Sequence, residues 1–447
     1  MPLALAALLA GCAAERPARD FDAVRTIAAE RLHAEVTWRG AEARPDVRAL
    51  LDTELTPGRA VQIALANNPA LQAVYERVGL AQADYLDATL LPNPVVHLAA
   101  RLPDRPPSAT TIEFSILGNL VDLLMRPDRT RMSALGVDAA VLDVSAEVLR
   151  FAGDVEVAYF EHLGTLHKQT ALRELATSSA NSAAAAHRLQ DAGNLSILAA
   201  AREDALAEQA TLAALRSEVD VATTRARLAR LLGLGAAEAT LHMPAGLPEP
   251  PATPPLPETP AALARAQRLD LQAARAAVEA RAAAHRITLD WRWLNGVQLG
   301  MIGERSADRQ LTVGPGADVE LPFFRRHQGE AARTDAELRQ KQQELAALAL
   351  DIENGAELAA RHVRQQHAIA TRYQARILPL EHRIEALTRQ QIELMLAGTF
   401  ELAAARKDLL VTQSEYIDAL TAYWIAEAEL RRALGGALEA PAASSKP

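Results

Sequence analysis

The chain has 447 residues, a formal charge of −9, 49% hydrophobic and 4% aromatic residues, and one cysteine. Mean hydropathy is only −0.03 because alanine supplies most of the apolar share, and beyond the N-terminus no window of about 18 uncharged apolar residues could form a membrane-spanning helix. One cysteine excludes a disulfide scaffold and Cys-rich metal sites, mild acidity argues against a general nucleic-acid binder, and the abundance of Ala, Leu, Glu and Arg points to long helices.

In chain order, residues 2–10 are apolar and are followed by Gly11 and Cys12. A short apolar run ending in small residues reads as a secretory signal. Leu-Leu-Ala-Gly-Cys at 8–12 resembles the bacterial lipoprotein signal, which implies lipidation of Cys12 after removal of residues 1–11. Residues 12–54 form an N-terminal segment.

The rest is written twice, at an offset of 200 residues: Ala64/Ala264, Leu71/Leu271, Gln72/Gln272 and Ala73/Ala273. Each copy, 55–235 and 258–436, reads as helix, strand, strand, a very long helix, a small turn and a closing helix. Residues 236–257 are a Pro-rich extended linker, and 437–447 are a tail. In the second copy, Asn68-Pro69 is matched to Leu269-Asp270. The long helical hairpins are expected over 127–233 and 326–435. Their first rods, running on to about residues 190 and 396, correspond to roughly 95–105 Å at the helical rise. Val141, Val144, Val148, Phe151 and Val155, and Leu338, Leu345, Leu348 and Ile352, are spaced for coiled-coil-like packing.

Four segments alternate with period two: residues 93–102, 110–117, 296–304 and 310–321, forming hairpins over 93–118 and 295–321. Leu98, Phe114, Leu299 and Val313 mark the apolar face, and Arg101, Glu113, Asp318 and Glu320 the polar face. Each segment is near the 9–11 residues of a tilted membrane-crossing strand. Trp291, Trp293, Phe323 and Phe324 flank the second hairpin like half of an interfacial aromatic girdle. In a membrane the apolar face meets lipid and the polar face lines a lumen. Four strands cannot close a barrel, and an open edge is not allowed in lipid, so the barrel must be shared: two copies give 8 strands, three give 12 and four give 16. The competing reading is a pair of soluble hairpins on a protein core.

Gly193 and Gly398 lie in the turns of the helical hairpins and are expected to supply the positive φ of helix C-caps. Asp191, Asn194, Glu393, Thr399 and Glu401 join them at the tips, where the carboxylates could ring an aperture. A glycine between helices is also simply a cap, and a tip glutamate simply solvated. His162/His167 and His362/His367 recur at the same offset, but i,i+5 spacing separates the rings by about 140° around a helix, so no metal site is expected. Phosphate-loop, G-x-S-x-G, H-E-x-x-H and G-x-G-x-x-G patterns are absent, and neither an enzyme nor a cofactor is expected.

The order of elements resembles the TolC-like outer membrane efflux factors, in particular their lipoprotein branch. The residues that carry the likeness are Thr56 through Leu71, Leu91-Pro92-Asn93-Pro94, Glu320-Leu321-Pro322-Phe323-Phe324 and Ala397-Gly398-Thr399-Phe400-Glu401-Leu402, over about residues 55–436. The resemblance implies a mainly α protein with a transmembrane β-barrel, 12-stranded in a homotrimer. It implies a helical α-barrel reaching about 100 Å into the periplasm, and an outer membrane location with a lipid anchor at Cys12. The implied role is a passive exit duct of a tripartite efflux or type I secretion system, with a periplasmic adaptor and an inner-membrane pump as partners. The tips would serve docking and aperture. The alternative is a non-channel periplasmic coiled-coil lipoprotein, a scaffold or pump adaptor.

Overall fold

A computed structural model describes residues 21–39, 47–102, 104, 110–235, 241–291, 296–306, 308–321, 323–324 and 326–436. Cys12 and Trp293 lie outside the described residues. The chain divides into two compact units. One comprises Met1–Ala23, Tyr75–Val144 and Leu269–Ala349, the other Val24–Val74, Ser145–Arg268 and Leu350–Pro447.

Apart from the single turn Arg48–Leu51, the α-helices are α1 (Phe21–Leu32), α2 (Pro57–Asn67), α3 (Pro69–Thr89), α4 (Leu120–Asp191), α5 (Ile197–Leu231), α6 (Pro260–Gln267), α7 (Leu269–Trp291), α8 (Gln328–Arg372), α9 (Leu378–Glu393) and α10 (Thr399–Ala433). The strands are β1 (Val95–Arg101), β2 (Thr111–Asn119), β3 (Val297–Arg305) and β4 (Leu311–Val319). The 200-residue offset thus matches α2, α3, β1 and β2 with α6, α7, β3 and β4, and the closing helix α5 with α10.

Local chemistry explains the boundaries. Pro57 opens α2 where its missing N–H is harmless, and the Thr56 hydroxyl accepts from Arg59 N at 3.3 Å. The helix stops at Asn68, whose ψ of 119° is extended, because the ring of Pro69 disfavours helical ψ before it. The second copy breaks at Arg268, ψ 118°, and the next residue is Leu269. Asn68-Pro69 therefore corresponds to Arg268-Leu269, and the match to Leu269-Asp270 made from the sequence is off by one.

The first long rod is one helix of 72 residues. It starts seven residues before the expected Pro127, because the Asn119 side chain accepts from Val121 N at 3.0 Å and Asp122 N at 3.2 Å. Pro127 then stands at the eighth position, inside the helix, where its ring removes one backbone hydrogen bond. The second rod is interrupted. Pro379 cannot donate a hydrogen bond, and the turn Tyr373–Ile377 just before it widens to a π-helix, with Leu378 N donating to Tyr373 O.

Along α4, Val144, Val148 and Val155 are fully buried, as the heptad spacing requires, and Ile352 of α8 is buried too. Leu345 and Leu348 are half-buried. The Pro-rich linker is held rather than free: Trp424 Nε1 donates to Pro248 O at 2.8 Å, and His367 Nε2 lies 2.6 Å from Pro251 O. His162 is buried, its Nδ1 3.1 Å from Thr224 Oγ1 on α5.

In the first unit the four strands make one antiparallel sheet in the order β1-β2-β3-β4. The two hairpins join through β2 and β3, leaving β1 and β4 as edges. β1, at seven residues, is shorter than expected.

Candidate functional site

The register assigns every strand residue to a face, since directly paired residues share one. Leu98 pairs with Phe114, Phe114 with Gly303, and Gly303 with Val313, so three of the four expected apolar markers form one row across the sheet. Leu299 pairs with Gly118 and Ala317 on the same face. The Phe114 ring covers Gly303 so closely that a Cβ there would sit 2.2 Å from Phe114 Cζ. Leu98 is 73% exposed and Val313 49%, an unusual exposure for a row of large apolar side chains.

The opposite face carries the polar and charged residues, with Val95, Leu117 and Ile302 among them. Arg101 Nη2 pairs with the Glu113 carboxylate at 2.9 Å. Asp318 lies on this face opposite Gln298. Glu320 is one residue beyond β4, packed beside Gly296. The sequence reading missed Glu304, which the register sets directly opposite Glu113. Its parity within the third alternating segment, shared with Gln298, carried that signal.

Among the aromatic residues flanking the second hairpin, Trp291 ends α7. Phe323 and Phe324 are 69% and 95% exposed.

At the helical tips one expectation holds and one fails. Gly193 has φ +76°. Its N–H bonds to Gln190 O at 2.9 Å and that of Asn194 to Leu189 O at 2.8 Å, a Schellman close after Asp191. Gly398 does not play this part. It has φ −90°, ψ 160° and is the N-cap of α10, with Thr399 as the first helical residue and Glu401 N bonding to Gly398 O at 3.1 Å. The left-handed residue of the second tip is Met395, φ +56°, with Leu396 N bonding to Gln391 O at 2.9 Å. The α9 helix ends at Glu393, three residues earlier than a cap at Gly398 would need. Asp191, Asn194, Glu393, Gly398, Thr399 and Glu401 are all exposed.

The second unit holds a cavity of about 780 Å³ between the ends of several helices. Its charges are committed to the fold. Arg432 pairs with Asp154 at 2.6 Å and Arg431 with Glu156 at 3.4 Å. Arg31 Nη1 donates to Gln267 O at 2.7 Å and Gly435 O at 3.0 Å. Burial outweighs the pull of Arg431 and raises the Glu156 carboxyl above its ordinary pKa. Among the described residues no cluster of three His, Cys, Asp or Glu could hold a metal ion. His162 is spent on Thr224 and His367 on the linker.

The sequence matches no protein-family model and no curated protein. Solved structures do match. A membrane protein from Pseudomonas aeruginosa superposes with TM-score 0.70 at 17% identity, covering 90% of this chain and 98% of its own. VceC, an outer membrane protein of Vibrio cholerae, gives 0.68 at 16%, over 86% of this chain and 97% of its own. The CmeC outer membrane channel of Campylobacter jejuni gives 0.70 at 15%, over 85% of each chain. The resemblance read from the sequence thus holds at the level of fold: a mainly helical chain with a four-stranded antiparallel sheet, built like the TolC-like outer membrane channels that are its structural neighbours.

Proposed function

We propose that this chain is one subunit of an outer membrane exit duct, a homotrimer that conducts substrate passively. The observation that carries the reading is the sheet. One face is almost wholly apolar and exposed, the other holds Arg101, Glu113, Glu304 and Asp318, and β1 and β4 are edges. Unpaired backbone is not tolerated in lipid, so the edge of β4 must pair with β1 of another copy. Three copies close 12 strands, enough to leave a lumen rather than a filled core. Fold likeness to outer membrane channels over 85–90% of the chain supports the same assembly.

In this reading Leu98, Phe114, Leu299 and Val313 face lipid, and Arg101, Glu113, Asp318 and Glu320 wet the lumen. Trp291, Trp293, Phe323 and Phe324 lie at the periplasmic interface. The long helices form the periplasmic barrel. Exposed Leu212, Leu215 and Val219 on α5 and Leu380, Ile384 and Leu387 on α9, spaced three and four apart, are the stripes that neighbouring copies cover. The tips at Asp191–Asn194 and Glu393–Glu401 dock a periplasmic adaptor, which links the duct to an inner-membrane pump of an efflux or type I secretion system. Cys12 carries the lipid anchor.

The test is stoichiometry and assembly. Protein extracted from outer membranes in mild detergent should weigh as three chains and give conductance across a planar bilayer. Aspartate at Leu98, Phe114, Leu299 and Val313 should abolish trimer assembly, each change costing on the order of 1–2 kcal/mol per subunit at the lipid face. Normal trimer yield with all four aspartates, or a detergent-free monomer once Cys12 is removed, overturns the duct in favour of a periplasmic scaffold.

A further inference from the structure

Building on the barrel reading above, we propose that Arg305 is a binding site for the phosphate of an outer-leaflet lipid headgroup. The register places Arg305 on the apolar face, opposite Ile112 on β2 and Leu311 on β4. Every other paired position of that face, from Val96 on β1 to Val319 on β4, is apolar or glycine. One charge on such a face needs a reason, because a cation against hydrocarbon is costly unless it reaches a polar layer or an anion. Arg305 is exposed. Among the described residues no hydrogen bond or ion pair occupies its guanidinium, and the neighbouring Glu304 points to the opposite face by the pleat.

Position selects the occupant. Arg305 is the last residue of β3, at the hairpin end, and the end remote from the helices is the outer surface of the barrel. The nine residues of β3 rise about 30 Å along the strand, so the guanidinium reaches headgroup depth while Leu299 and Met301 stay in hydrocarbon. The side chain can lay its stem along Ile112 and Leu311 and lift its head. A guanidinium fork matches phosphate oxygens with two parallel bonds. Arg309 lies in the adjoining turn, also exposed, with φ +67°, and adds positive potential without belonging to the lipid face. A trimer carries three such sites around its rim.

The experiment uses the full-length lipidated protein in mild detergent and counts bound lipid by native mass spectrometry. The probe is lipid A carrying two phosphates, with its dephosphorylated form and inorganic phosphate as separate arms. The wild type is expected to bind the phosphorylated probe at least tenfold more tightly than the dephosphorylated one, saturating at three per trimer. Arg305→Gln should lose that preference, Arg305→Lys should keep part of it, and Arg309→Gln should change it less than threefold. Equal binding of the two lipids by the wild type, an unchanged preference in Arg305→Gln, or competition by millimolar inorganic phosphate overturns the lipid site. Should Arg305→Gln fail to assemble, the wild-type comparison of the two lipids and Arg305→Lys decide. A wild type that forms no trimer and inserts in no vesicle refutes the duct reading itself, a result distinct from a trimer that ignores the phosphate.

Discussion

The two copies build the same joint from different side chains. In the first, Asn67 Nδ2 donates to Leu232 O and Gly233 O, both at 3.0 Å, and Asn68 Nδ2 to Arg230 O at 3.2 Å and Leu231 O at 2.8 Å. The Asn68 side-chain Oδ1 meanwhile accepts from Ala70 N at 2.8 Å and Leu71 N at 3.3 Å. One amide thus caps the end of α5 and the start of α3. In the second copy Gln267 and Arg268 stand at these places, and Arg268 reaches Ala433 O at 3.4 Å. Both joints end in a left-handed glycine, Gly233 at φ +71° and Gly435 at φ +84°, against which the backbone of 67–68 or 267–268 lies. What duplication kept is the backbone approach and the glycine. What it let vary is the group that satisfies the helix end.

The comparison is sharpest at those glycines. A Cβ on Gly233 would lie 2.8 Å from Asn67 O, whereas one on Gly435 would lie 3.2 Å from Gln267 O. Gly233→Ala should therefore cost about 3 kcal/mol, combining clash with left-handed strain, and Gly435→Ala about 1–2 kcal/mol. Denaturant unfolding of the detergent-solubilised protein measures both, and equal losses would mean that strain alone, not the close approach, sets the cost. The polar groups should rank the same way. Asn67→Ala orphans two carbonyl contacts in a buried place and should cost about 2 kcal/mol, while Arg268→Ala, whose bond to Ala433 O is long at 3.4 Å, should cost less. A reversed order would show that the second joint depends on its side chain after all.

The copies also differ in their histidines. His162 is buried and His362 exposed. Burial, aided by the charge of Arg225, lowers His162 to about 4. The unfolded chain then binds the proton more readily, so stability present above pH 6.5 is lost as pH falls toward 4. A loss of about 2 kcal/mol is expected across that window, read as a falling unfolding midpoint. His162→Gln should flatten the profile and His362→Gln should leave it alone. A profile unaltered by His162→Gln refutes the assignment.

The smallest effects belong to the tips. The first turns on Gly193 and the second on Met395, both left-handed. Met395→Gly should stabilise by about 1 kcal/mol or less, and Gly193→Met should cost about 1 kcal/mol. Thermal unfolding would show whether the two changes have opposite signs, and a shared sign would contradict the two caps being equivalent.

Much of this was legible in the sequence because it rests on short-range rules. Period-two alternation marked the strands and their apolar face, and the 200-residue offset marked the two copies. Gly193 announced its cap. The misreadings came where one local signal had two uses. Gly398 looked like a C-cap but starts α10, because Met395 had already turned the chain. Pro127 looked like a helix start, yet Asn119 began the helix earlier.

By itself, then, the sequence determined the duplication, the element order and the two chemically distinct sheet faces, since these follow from spacing and from where glycine and proline fall. Only the tertiary structure decided which residues meet: Glu113 opposite Glu304, the Phe114 ring over Gly303, and Asn67 and Asn68 on the last carbonyls of α5. Those pairings depend on strand register and on contacts between residues 165 apart, which no local periodicity encodes.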